Sequence, residues 1–121
     1  MHELIHKHFT RKDVAITIVT PANISELYNA KNKIILFHAA WSGPSYMHIG
    51  AILNRLNLLD LKGISLFFIN VDDIDIVVVE QLLGRQSHGN GEAVFIKSGS
   101  VVAGHTNNIQ NFLKDLETQL G

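Results

Sequence analysis

The sequence predicts an α/β fold, a three-layer sandwich with one mixed central sheet and helices on both faces. Three observations predict it. Apolar runs of strand length alternate with helical segments through the first two thirds of the chain, a Ser-Gly hairpin signal follows, and the last segment is the cleanest amphipathic helix present. The implied order is β-α-β-α-β-α-β-β-α over residues 13–121, after an N-terminal extension or short helix at 1–12. It gives a parallel first half and an antiparallel second half.

Val14 to Val19 is nearly continuous in apolar residues and predicts a strand that is partly or wholly buried. Thr20-Pro21 opens a short helix, with Asn23 and Glu26 as an alternative capping box and Ile24, Leu27 and Tyr28 as its apolar side. Lys33 to His38 is placed as the central strand, and it breaks into Trp41-Ser42-Gly43-Pro44-Ser45. Pro44 suits the first turn of a helix, where its missing N–H would have had no partner. Ile49, Ile52, Leu53 and Leu56 then form one helical stripe, and Gly50 inside it is expected at a close helix–sheet contact.

Ile64 to Val71 reads as another buried strand, and Asp72-Asp73-Ile74-Asp75 as the cap of a helix from Ile76 to Leu83. The branched run Ile76-Val77-Val78-Val79 suits a strand equally well, so context decides for the helix. Gly84 ends it and Arg85 to Gly91 form a polar loop. Ala93 to Ile96 and Val101 to Ala103 flank Ser98-Gly99 as a hairpin, and Ile109, Phe112, Leu113, Leu116 and Leu120 mark the final helix.

The 121 residues fit one domain. A formal net charge of -1 gives no electrostatic case for nucleic acid or an anionic membrane as partner. Cysteine is absent, which removes disulfides, thiol nucleophiles and thiolate metal sites together. No apolar run reaches membrane-spanning length and the first residues lack the apolar centre of a signal peptide, so a cytoplasmic location and no cofactor are expected.

Element order, length and the pentapeptide Trp41-Ser42-Gly43-Pro44-Ser45 resemble thioredoxin, whose family carries Trp-Cys-Gly-Pro-Cys at that turn. The resemblance spans residues 13–121 and implies the thioredoxin-like sandwich. It also implies a loss, because Ser42 and Ser45 stand where the family has its nucleophilic and resolving cysteines. Leu36 stands at the place of the family's buried aspartate, Phe68 at that of its nearby lysine, and Gly91 at that of its cis-proline. A laboratory exchange of two cysteines would explain Ser42 and Ser45 but not the other three. A cis bond before a non-proline residue costs about 2.5–4 kcal/mol, so the peptide at Gly91 is expected to be trans.

The function expected is therefore non-catalytic protein binding, in the manner of a small immunity or inhibitor protein or an accessory assembly protein. The expected contact surface holds Trp41, Ser42, Gly43, Ser45, His88, Asn90 and Glu92, because helix-terminal N–H groups, a large amphipathic ring and a Gly-containing loop would meet there. Ser42 and Ser45 are expected to cap the helix. The alternative surface is the acidic cluster Asp72, Asp73 and Asp75, which would suit a basic partner. The alternative function is enzymatic: a Ser-dependent hydrolase with His38 or His48 as base, or an accessory component of a thiol-redox pathway. His2-Glu3-Leu4-Ile5-His6 matches the zinc-protease spacing HExxH, but at a chain terminus and without a third ligand, so no metal site is expected.

Overall fold

In the computed structural model, which describes residues 2–105 and 108–120, the elements run α1 (Glu3–His8), β1 (Ile16–Ile18), α2 (Ile24–Asn29), β2 (Lys33–His38), α3 (Gly43–Leu56), β3 (Ser65–Asn70), α4 (Ile76–Leu83), β4 (Glu92–Lys97), β5 (Ser100–His105) and α5 (Ile109–Leu120). The strands form one sheet in the order β1-β3-β2-β4-β5. The pairs β1–β3 and β3–β2 are parallel, and β2–β4 and β4–β5 are antiparallel. All of β2 is buried, as a strand with helices over both faces must be, and it takes the central place.

Alternation along β2 divides the interior in two. Ile34 and Leu36 face α1, α3 and α5 together with Phe68 and Phe95, while Ile35 and Phe37 face α2 and α4 with Phe67, Ile69 and Val94. The expected stripe of α3 is buried in the first core and Phe112, Leu113 and Leu116 of α5 join it. The hairpin forms as expected, pairing Phe95 with Ala103 and Ile96 with Val101. Residues 98 and 99 take positive φ values of 52° and 81°, as a two-residue turn that follows the strand twist requires.

Four local expectations are corrected. The first strand, partly buried as expected, spans only Ile16–Ile18, because it lies at the sheet edge with β3 as its one neighbour. Asn23 does not form a capping box: its Oδ1 accepts from Thr20 N at 2.7 Å and its Nδ2 donates to Ile18 O at 2.9 Å, closing the turn before α2. Gly50 faces a helix and not the sheet, since a Cβ there would lie 3.0 Å from His8 Nε2 of α1. Of the aspartates before α4, only Asp75 caps it, accepting from Val77 N at 2.8 Å, whereas Asp72 N and Asp73 N both donate back to Asn70.

The branched run of α4 is helical because Val79 and Leu83, one turn apart, both enter the second core, leaving Ile76 and Val77 exposed. At the other end of the molecule Lys33 is buried, and its Nζ donates to Leu27 O, a carbonyl of the last turn of α2, at 2.7 Å. Burial lowers its pKa from the ordinary lysine value.

Candidate functional site

Because β2 and β3 are parallel, they end side by side at His38 and Asn70, and antiparallel β4 begins at the same edge with Glu92 opposite Phe37. The segments 39–42, 71–75 and 84–91 therefore meet over one end of the sheet. Val71 N donates to His38 O at 2.9 Å, tying the second of these segments to the first.

Trp41 stands 68% exposed at this end. Its six-membered ring lies over Gly89, where a Cβ would approach Trp41 Cη2 to 2.4 Å, so the loop and the indole fit only because residue 89 has no side chain. Gly91 is equally constrained. It takes φ +78° through a trans peptide, and a Cβ on it would come within 2.8 Å of the Ser45 backbone.

Glu92 organises the loop from beneath. Its Oε1 accepts from Ser87 Oγ at 3.0 Å, His88 N at 2.9 Å and Gly89 N at 3.2 Å, while Oε2 is buried without a partner. Glu80 of α4 accepts from Ser87 N at 2.9 Å, and His48 of α3 donates from Nδ1 to Asn90 O at 2.7 Å. Three elements thus hold residues 87–90 against the start of α3.

Ser42 sits at the N-cap of α3 and accepts from Ser45 N at 3.4 Å. Ser45 does something else. Its Oγ accepts from Ala39 N at 2.9 Å and bonds His38 Nδ1 at 2.7 Å, joining the end of β2 to the first turn of α3. Both partners are fully buried, and the rings of His2, Tyr46 and Phe68 surround His38. Burial, reinforced by repulsion from His2, pulls the His38 pKa down from 6.5 to about 4, so the imidazole is neutral near pH 7.

This geometry bears on acyl transfer. A serine nucleophile needs a base on its hydroxyl and an open approach for a carbonyl. His38 is directed at Ser45 and not at Ser42, the His38–Ser45 pair has no exposed surface, and His48 is turned to Asn90. These hydrogen bonds hold the scaffold. His2 of the HExxH pattern likewise uses Nδ1 to accept from Leu4 N at the start of α1, and among the described residues no three His, Asp or Glu side chains group as a metal site.

Of the expected contact residues, Trp41, Gly43 and His88 are exposed and Asn90 is half-buried, whereas Ser42, Ser45 and Glu92 lie beneath them and support the surface without forming it. Asp72, Asp73 and Asp75 are exposed at the same end of the sheet. Leu36 and Phe68 are wholly inside the first core.

No protein-family model and no curated protein matches the chain. Solved structures do. Thioredoxin O2 of Arabidopsis thaliana in its oxidized state superposes with TM-score 0.69 at 16% identity, over 91% of this chain and 97% of that one. The Malassezia sympodialis thioredoxin Mala s 13 gives TM-score 0.64 at 19% identity, over 94% and 97% of the two chains. Plasmodium falciparum thioredoxin gives 0.59 at 23% identity, over 85% and 97%. The fold is thioredoxin-like.

On this thioredoxin-like scaffold the turn from the central strand into α3 carries two hydroxyls and the whole chain carries no cysteine, so it holds no dithiol of its own. Residues that sequence reasoning missed are His2 and Tyr46, which enclose His38, and Glu80, which tethers Ser87. Only the Glu80 contact had a signal, a carboxylate facing a Ser-containing loop one turn past its helix. The His2 contact depends on where the N-terminal helix docks.

Proposed function

We propose that this is a non-catalytic thioredoxin-like protein that acts by binding another protein, through the surface formed by Trp41, Gly43, His88 and Asn90. Inhibition of the partner, as by an immunity protein, and accessory support of an assembly are two forms of this reading. The observation that carries it is Trp41: a large ring is left 68% exposed against Gly89, in a segment that Glu80, Glu92 and His48 hold in place. Rigid, exposed aromatics suit a binding anchor because little side-chain freedom is lost when they are covered. The buried Ser45–His38 pair and the Glu92 carboxylate fit the same purpose, since they fix the backbone under the ring.

Affinity capture from the native cell, with wild type and Trp41→Ala as parallel baits, tests this. A protein retained by wild type and lost by the folded variant is the expected result. Equal retention of every captured protein by both baits would overturn the reading.

A further inference from the structure

We propose that the surface around Trp41 takes a basic partner segment, one carrying lysine or arginine beside an apolar side chain. The inference rests on the binding role proposed above and supplies the chemistry of the partner.

The two ends of the sheet differ in charge. At the end where β2 and β3 finish, Asp72, Asp73 and Asp75 are exposed. At the opposite end, Lys12, Lys31, Lys62 and Lys97 are exposed beside the starts of β1, β2 and β3 and the finish of β4, and they outnumber the exposed Asp13, which is paired with Arg11, and Asp60. A formal net charge of -1 conceals this separation.

The three aspartates are also free of ion pairs. Among the described residues the ion pairs are Arg11–Asp13 and Arg55–Glu117, so none of the three aspartates has a cationic partner. Arg85 and His88 are the basic side chains of the neighbouring loop, and neither forms an ion pair with them. Beneath that loop the Glu92 Oε2 is buried with no partner, a second polar group left uncompensated at the same end.

Apolar surface lies among these charges. Trp41 covers Gly89, Ser87 is held by Glu80, and one turn before Glu80 the exposed Ile76 and Val77 follow directly on Asp75. A partner that buries an apolar side chain against Trp41 or Val77 would bring its cations to the aspartates, and a lysine or arginine could rest on the face of the indole. Such a field also orients the encounter, raising association rates in a salt-dependent way.

The test uses two synthetic peptides, an alternating Lys/Leu dodecamer and its Glu/Leu counterpart. Each is titrated into wild type, Trp41→Ala and a triple Asp72→Asn, Asp73→Asn, Asp75→Asn variant, which keeps a side chain able to cap α4. Binding is located by amide chemical shifts and measured at two salt concentrations. The expected result is binding of the Lys peptide with shifts at residues 39–43, 71–77 and 87–90, no binding of the Glu peptide, and an affinity at least tenfold lower for the triple variant. Equal affinity for both peptides, or an unchanged triple variant, would overturn the basic-partner inference. In that case a loss on Trp41→Ala alone would leave the binding surface standing, whereas shifts confined to the opposite end would remove both.

Discussion

Buried polar side chains decide more at this site than exposed ones do. His38 has a folded pKa of about 4 against an ordinary 6.5, so the unfolded chain binds the proton more tightly. The stabilisation from keeping it neutral is complete above about pH 6.5 and is lost as pH falls toward 4, on the order of 3 kcal/mol in all. His38→Phe should flatten that part of the pH profile in urea unfolding, while Ser45 keeps its bond from Ala39 N. A profile as steep as wild type between those limits would assign the effect to other groups. Glu92→Ala removes the acceptor of three donors and should cost about 2–4 kcal/mol, with faster amide exchange at His88 and Gly89. Unchanged exchange there would mean that the loop is held by Glu80 and His48 alone. Neither structural role was legible in the sequence, where His38 reads as a base for a serine and Glu92 as an exposed contact residue, because burial of both depends on how the strand ends and the loop pack. What was legible was the absence of cysteine and, through the resemblance, the departures at Leu36, Phe68 and Gly91.

Periodicity served well for the elements that face one core and less well for those that meet each other. The stripes of α3 and α5 and the apolar centre of β2, Ile34 to Phe37, follow from packing within the sheet and its helix layers and could be read directly. The docking of α1 could not, because Leu4 and Ile5 are two apolar residues in a polar stretch, and their burial depends on the groove that α3 offers. Gly50 records that docking, with His8 over it and Asn57 bonded to both His8 O and Thr10 N. Gly50→Leu should therefore displace the His8 ring and loosen α1. Hydrogen exchange of residues 5–8 should rise while the protection of β2 and β3 stays as in wild type; unchanged exchange in α1 would show that the helix is held elsewhere. Gly91→Ala acts on another element pair, forcing a side chain at φ +78° into the Ser45 backbone, and is expected to cost at least about 2 kcal/mol by thermal or denaturant unfolding.

Taken whole, the molecule is a thioredoxin-like sandwich without cysteine whose strand ends converge on one surface. The parallel order of β1, β3 and β2 puts three loops at that end, which is where open α/β sheets bring functional side chains together. With hydroxyls at the turn, a leucine in the core beside it and no cysteine anywhere, the proposed use of that end is recognition. The most direct measurement is calorimetric titration of the captured partner against wild type and folded Trp41→Ala. Loss of at least about 2 kcal/mol of binding free energy on removing the ring is the predicted result. A loss below about 0.5 kcal/mol, within the range of a near-neutral interface residue, would contradict a binding surface centred on Trp41.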